Sequence, residues 1–306
     1  MRVFLTGATG FIGSAIVGEL VAAGHQVLGL ARSDDKAAAL AAAGAEVHRG
    51  SLEDLDGLRA GAAQAEGIIH TAFNHDFSRF AESCEDDRHV IAALSAEFAG
   101  SDRPLVVTSG VGAMKAAAGH LATEDDPHPS AAEFPRGASE EAMAAAIAAG
   151  ANVSVVRLPQ VHDTHKAGLV SPVIDVARDK GVSAYIGEGR NRWAAAHALD
   201  AARVYRLALE RAEKGAHYHA VGEEGVPLRT IAEAIGRRFD LPVVSLQAEE
   251  AASHFGAFLG AFAQRDAPAS SALTQQRLGW RPTGPSLVTD LENMEAVEDQ
   301  RAFGLA

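Results

Sequence analysis

Residues 6–13 read Thr-Gly-Ala-Thr-Gly-Phe-Ile-Gly, directly after the apolar run Val3–Thr6 and directly before a helical pattern that starts at Phe11. Three glycines at that spacing leave a strand-to-helix turn few alternatives. Gly7 permits the tight turn, Gly10 lets the backbone approach a pyrophosphate, and Gly13 lets helix and strand pack closely. The helix that follows offers unpaired N–H groups and the positive end of its dipole to a phosphate. The turn therefore predicts a dinucleotide site, with Gly7, Thr9, Gly10, Phe11, Ile12 and Gly13 around the phosphates.

The same strand-then-helix rhythm continues. Short, continuous apolar runs at Gln26–Leu30, Ala45–His48, Gly67–His70, Leu105–Thr108 and Val153–Arg157 read as parallel strands covered on both faces. Between them lie helical patterns at Phe11–Ala23, Asp34–Ala43, Leu52–Ala60, Arg79–Ala99 and Ser139–Ala149, several ended by Gly24, Gly44 or Gly150. This predicts an α/β fold with a doubly wound parallel sheet and a smaller C-terminal substrate-binding domain. Ala113–Pro135, rich in Gly, Asp, His and Pro, reads as a loop over the sheet edge. Residues 1–160 are expected to form the dinucleotide-binding domain, with 193–221 returning to it through a helix at Leu199–Ala212 and a strand at Ala216–Val221. Residues 161–192 and 222–306 are expected to form a lid, with helices at Ser171–Lys180, Leu228–Phe239 and Ala248–Ala263 and strands at Ser183–Ile186 and Pro242–Leu246.

Composition excludes several classes. Of 306 residues 47% are hydrophobic and 22% charged, a balance that supports a large core rather than disorder. Forty acidic against 27 basic residues give a net charge of −13, which argues against nucleic-acid or anionic-membrane partners. The single cysteine, Cys84, forms no internal disulfide and no Cys-rich metal site. His162, Asp163 and His165 lack the spacing of a metal-binding helical pair, so no metal is expected. No apolar run reaches the roughly 18 residues of a membrane span. Val3-Phe4-Leu5 also stops short of a secretory signal, so the expectation is a cytoplasmic protein, monomer or homodimer, with a small-molecule substrate.

The turn Thr6–Gly13 resembles the N-terminal fingerprint of the extended and atypical short-chain dehydrogenase/reductases, a Rossmann-fold family that includes NAD-dependent epimerases and dehydratases. The resemblance continues through Ile68-Ile69-His70-Thr71-Ala72, Val106-Val107-Thr108-Ser109, Val155-Val156-Arg157-Leu158-Pro159, Arg190-Asn191-Arg192-Trp193 and Ala196-His197-Ala198-Leu199-Asp200. It covers essentially the whole chain. It implies a nicotinamide cofactor, with Ser51 and Leu52 at the adenine, Thr71, Ala72 and Phe73 beneath the pyrophosphate and ribose, and Pro159 and Val161 after the sixth strand.

The end of the second strand selects between cofactors. An acid there binds the ribose 2′-hydroxyl of NAD, whereas a nearby arginine suits the 2′-phosphate of NADP. Here Ala31 takes the acid's place and Arg32-Ser33 follow, which points to NADP over NAD. The alternative is a solvated Arg32 with Asp34 or Asp35 on the ribose.

The resemblance also implies a tyrosine, a lysine four residues later and a nearby hydroxyl. The lysine would lower the tyrosine pKa and the hydroxyl would orient a carbonyl. No Tyr-x-x-x-Lys exists; Tyr185, Tyr205 and Tyr218 come too late. Placing Glu140 on the family's downstream glutamate puts Arg136 at the lysine position and Ala132 at the tyrosine position. This resembles a subgroup with His-x-x-x-Arg, of which only the arginine is kept. Ser109 falls near the usual hydroxyl, although a strict match falls on Gly110. Arg136 is then expected to hold a cofactor ribose or a substrate anion. Histidines at the carboxyl ends of strands, His75 and His162, or water are left to move the proton. His217 and His219 read as structural. The expected activity is NADP-dependent carbonyl reduction or alcohol oxidation. A non-catalytic NADP-binding sensor, and an epimerase or dehydratase with retained nicotinamide, are the alternatives.

Overall fold

The computed structural model describes residues 1–114 and 120–295. Part of the predicted 113–135 loop and the end of the predicted lid therefore lie outside the described residues.

The first half alternates strictly. β1 (Arg2–Thr6), α1 (Phe11–Ala22), β2 (Gln26–Ala31), α2 (Asp34–Ala42), β3 (Glu46–Arg49), α3 (Leu55–Ala63) and β4 (Gly67–His70) come first. α4 (Phe80–Ala96), β5 (Pro104–Gly110), α5 (Gly137–Ala148) and β6 (Asn152–Leu158) complete it. After β7 (Gln160–His162) follow α6 (Val170–Lys180), β8 (Ser183–Ile186), β9 (Arg192–His197), α7 (Ala198–Arg211) and β10 (His217–His219). The chain closes with β11 (Glu223–Pro227), α8 (Leu228–Phe239), β12 (Val243–Leu246), α9 (Ala251–Phe255), α10 (Ala257–Phe262), α11 (Ala272–Leu278) and α12 (Leu287–Glu292).

Seven strands form one sheet in the order β10-β6-β5-β4-β1-β2-β3, and every pairing in it is parallel. The order reverses between β1 and β4, the switch point outside which open α/β sheets bind ligands. One face of the sheet packs on α1 and α7 through Ile16, Leu20, Val204 and Leu209; the other packs on α3, α4 and α5 through Leu58, Ile91, Leu94 and Met143. Both faces are covered, which is why the strands read as continuous apolar runs.

The later chain departs from the sequence reading in instructive places. β9 does not join the main sheet but lies between β7 and β11 in a second sheet, with β12 and β8 forming a third. Of the stretch 193–221, α7 and β10 alone return. None of β7, β9 and β11 carries a run of β-branched apolar residues: β7 has only three residues, the middle of β9 is alanine, and β11 begins Glu-Glu-Gly. The helix expected over Ala248–Ala263 is broken. Gly256 adopts φ +83°, ψ 164°, a conformation open to glycine, and divides α9 from α10. A separate core of Val173, Trp193, Ile231, Ile235, Phe262 and Leu287 lies under these elements.

The glycine turn sets how closely α1 approaches the sheet. A Cβ on Gly13 would sit 1.9 Å from the Gly7 carbonyl oxygen, whereas one on Gly10 would meet that oxygen at 3.1 Å. Gly13→Ala must therefore push α1 away from β1. We expect a loss of about 1–3 kcal/mol or more, read as a lower urea midpoint, with a smaller loss for Gly10→Ala. Equal midpoints for both variants and the parent chain would contradict this packing.

Candidate functional site

The site starts from the turn between β1 and α1. Gly7 has φ +72°, and a Cβ there would lie 2.7 Å from both the Ala72 amide and the Thr71 hydroxyl, so only glycine lets the β4 loop close over the turn. Thr71 donates to the Thr6 carbonyl at 2.9 Å, and the Ala72 N–H donates to the Thr6 hydroxyl at 3.4 Å. No side chain caps the first turn of α1, whose N-cap is Gly10. Thr9, Phe11 and Ile12 are half-buried beside it. The N–H groups of that uncapped turn are left to donate to an anion.

Behind the turn runs a buried polar relay. The Thr6 hydroxyl lies 2.6 Å from His70 Nδ1, and His70 Nε2 lies 3.0 Å from Asp87 Oδ1. Asp87 Oδ2 accepts from Ser139 Oγ at 2.6 Å and from Arg136 Nη1 at 2.7 Å. Arg136 Nη2 donates to the Thr108 carbonyl at 3.0 Å, and its guanidinium stacks 4.2 Å from the Phe73 ring centre. Burial alone would raise the Asp87 pKa, but the Arg136 charge and the bonds from His70 and Ser139 outweigh it. The carboxyl is held well below its usual range. Tyr205, fully buried in α7, bonds Thr108 Oγ1 at 2.7 Å, and burial pushes its pKa up, so it is no acid–base group for the cleft.

The structure thus gathers Arg136, Thr71, Ala72, Phe73 and the end of β5 around the switch point. Ser109 lies there too, buried, with a hydroxyl that has no hydrogen-bond partner among the described residues. His75 is exposed at the mouth of the cleft, in edge contact with Phe73 and Phe77 at 5.3 and 6.1 Å. Desolvation by its neighbours, with the charges of Lys166 and Arg136, lowers its pKa. A wall of half-buried rings continues from there. Phe77 stacks on Phe258 at 4.5 Å, and Phe80 lies 5.7 Å from Phe134 and 5.2 Å from Phe258.

At the other end of the turn, Arg32 and Ser33 are exposed beyond β2. Arg32 makes no hydrogen bond or ion pair among the described residues, while Arg49 binds the Ser33 carbonyl and pairs with Asp34 at 2.9 Å. Ser51 and Leu52 are half-buried after β3, and Pro159 is half-buried after β6. Val161 packs into the main core, so only its backbone is left for a ligand.

His162 is not brought to this cleft. Its ring is fully buried in β7, with Nδ1 2.7 Å from Asp290 Oδ2 in α12. His219 is likewise sealed, between the Ser270 carbonyl and Arg157. Arg157, 1% exposed, makes a two-pronged pair with Glu140 at 2.8 and 2.7 Å that ties β6 to α5.

Sequence reasoning missed Asp87, His70 and Ser139. A signal for Asp87 existed. It falls in phase with Ser83, Cys84, Val90, Ile91 and Leu94 on the buried face of α4, unlike Glu85 and Asp86 beside it.

The model of the NAD dependent epimerase/dehydratase family matches residues 3–222. An uncharacterized protein of Schizosaccharomyces pombe is 50% identical over 294 residues, covering 95% of this chain and 98% of that protein. A 4-hydroxy-2-methyl-3-oxo-4-farnesyl-3,4-dihydroquinoline-1-oxide ketoreductase of Stigmatella aurantiaca is 28% identical over 269 residues, covering 84% and 80%. Among solved structures, a dTDP-glucose 4,6-dehydratase of Streptomyces venezuelae with NAD and TYD bound superposes with a TM-score of 0.76 at 20% identity, covering 96% and 95%.

The relay makes a pH-dependent prediction. A carboxyl whose folded pKa is depressed adds stability above the unfolded value of about 3.9, and that stability is lost as pH falls. Asp87→Asn should therefore cost about 3 kcal/mol or more near pH 7, with the gap to the parent chain narrowing below about pH 4. Urea titrations at pH 7, 5 and 3.5 measure it; a gap that stays constant would refute an ionised Asp87.

Proposed function

The chain belongs to the NAD dependent epimerase/dehydratase family, and from that premise we propose that it is an NADP-dependent oxidoreductase of the carbonyl reductase or alcohol dehydrogenase type, acting on a small organic substrate. The observation that carries this reading is Arg136. It is a permanent positive charge fixed at the end of β5, where the sequence has no tyrosine–lysine pair to offer. The ketoreductase relative supports the same direction.

The residues present fit NADP. The uncapped first turn of α1 suits a pyrophosphate, and the exposed, unpaired Arg32 with Ser33 suits a 2′-phosphate. Thr71, Ala72, Phe73 and the Ser109 hydroxyl would hold the ribose and nicotinamide end, with Ser51, Leu52, Pro159 and Val161 flanking. When bound, the nicotinamide supplies or accepts the hydride. Arg136 cannot shuttle a proton, because a guanidinium stays charged. Its Nε makes no hydrogen bond among the described residues, so it can donate to a carbonyl oxygen and favour the negative charge that develops there. Ser109 would orient that oxygen. His75, at the cleft mouth, or water would deliver the proton; the buried His162 is set aside. In this reading residues 1–160 with α7 and β10 hold the cofactor, and 161–192 with 222–306 enclose the substrate. An epimerase or dehydratase reading keeps support from the family itself, and a panel of carbonyl compounds and sugar nucleotides separates the two.

Two outcomes are expected. Arg32→Ala should weaken NADPH by about tenfold while NADH affinity moves far less, followed by nicotinamide fluorescence; an unchanged ratio sinks the NADP assignment. If His75 is the acid in reduction, turnover falls as pH rises through its pKa. That value is lowered, so the limb should lie below the ordinary value of about 6.5. His75→Gln should abolish the limb, and a profile that survives it would assign the proton to water. Arg136→Ala should depress turnover at every pH.

A further inference from the structure

Arg265, just after α10, is an anomaly among the arginines. It is half-buried, yet it faces no carboxylate within ion-pair distance among the described residues. Its bonds are spent on backbone: Nη2 donates to the Ala113 carbonyl at 3.2 Å, beyond the end of β5. Its own backbone is fixed, with the N–H on the Phe262 carbonyl and the carbonyl receiving Asn191 Nδ2 at 3.1 Å. The guanidinium lies 5.2 Å from the centre of the Phe134 ring, two residues before Arg136. Phe134 packs on Phe80, and Phe80 packs on Phe73, the ring under Arg136. Two arginines therefore sit on one ring cluster, and among the described residues only Arg136 has a counter-charge. In a chain of net charge −13, an uncompensated half-buried cation is costly unless a ligand completes it.

We propose that the substrate of this cleft is an organic anion with a flat apolar body, its charged group held by Arg265 and its body lying against the Phe73, Phe80 and Phe134 rings, while its carbonyl reaches Arg136. The proposal rests on the oxidoreductase reading of the cleft and names the substrate class for it. Burial lowers the Arg265 pKa, the direction expected of a cation without a partner. The charges bearing on His75 are also cationic, Lys166 and Arg136, so the mouth of the cleft favours a negative ligand.

The test uses the full chain saturated with NADPH and calorimetric titration of 4-acetylbenzoate against its neutral methyl ester, with phenyl phosphate as a separate arm. The acid should bind about tenfold or more tightly than the ester. Arg265→Gln should remove that preference by weakening the acid, and Arg265→Lys should restore part of it; NADPH affinity reports whether each variant is folded. Phenyl phosphate binding more tightly than the acid, with the same loss in Arg265→Gln, supports the site and assigns the charge to a phosphoryl group. Equal affinity for acid and ester, equal weakening of both by Arg265→Gln, or no binding of either anion up to about 10 mM overturns the proposal. NADPH consumption is recorded in parallel. Arg265-dependent binding without consumption would sink the oxidoreductase reading and leave the anion site standing. Consumption with acid and ester alike would do the reverse.

Discussion

The carboxylate of Asp87 is the constraint from which the rest of the site follows. An ion placed among Val90, Ile91 and Leu94 on the inner face of α4 has to be surrounded by donors, because an unpaired buried charge costs several kcal/mol. Three elements supply them: β4 through His70, the start of α5 through Ser139, and the loop before it through Arg136. Once those bonds are made, Arg136 has one place to be, and the Thr6–His70 contact carries the arrangement to the foot of the phosphate turn. The two ends of the cleft are thereby registered to one another by a relay that is buried everywhere except at Arg136. Tyr205 and Thr108 extend it to α7, so both covering layers share the same polar spine.

What the sequence makes legible follows from the range of the interaction involved. The turn at Gly7, Gly10 and Gly13 is local, so its geometry could be read directly, and so could the four strand–helix units after it and β6. The position of Arg32 was legible because the end of β2 is fixed by that same local unit. Asp87 was not, since its role is set by partners on β4 and α5 that only the sheet order brings near. His162 misled for the same reason. Its position after the sixth strand suggested the cleft, but β7 turns it inward onto Asp290, more than 100 residues later. The break at Gly256 is hidden in the sequence because an alanine-rich run containing two glycines, Gly256 and Gly260, still reads as continuous helix.

In the proposed reading Arg136 takes the lysine's place with a different physical character. A lysine swings on a flexible stem and shifts its pKa readily, whereas this guanidinium is clamped by a carboxylate, a hydroxyl, a carbonyl and a ring face. It offers a fixed field rather than a mobile proton. Charge that is already in place needs no reorganisation when negative charge develops nearby, which is the form of electrostatic assistance enzymes use most effectively. In that reading, separating this role from proton delivery leaves the second task to groups such as His75, which is exposed.

The stack of Phe77 on Phe258 joins the loop after β4 to α10 across more than half the chain. Contacts between distant segments form late in folding, because the entropy of closing the intervening loop has to be met first. The phosphate turn, by contrast, draws on β1, α1 and the loop after β4, all near the start of the chain. During folding the nucleotide-facing half of the cleft can therefore mature before its far wall exists. A ligand that binds the turn would favour every state in which the turn is formed, whether or not the far wall is in place.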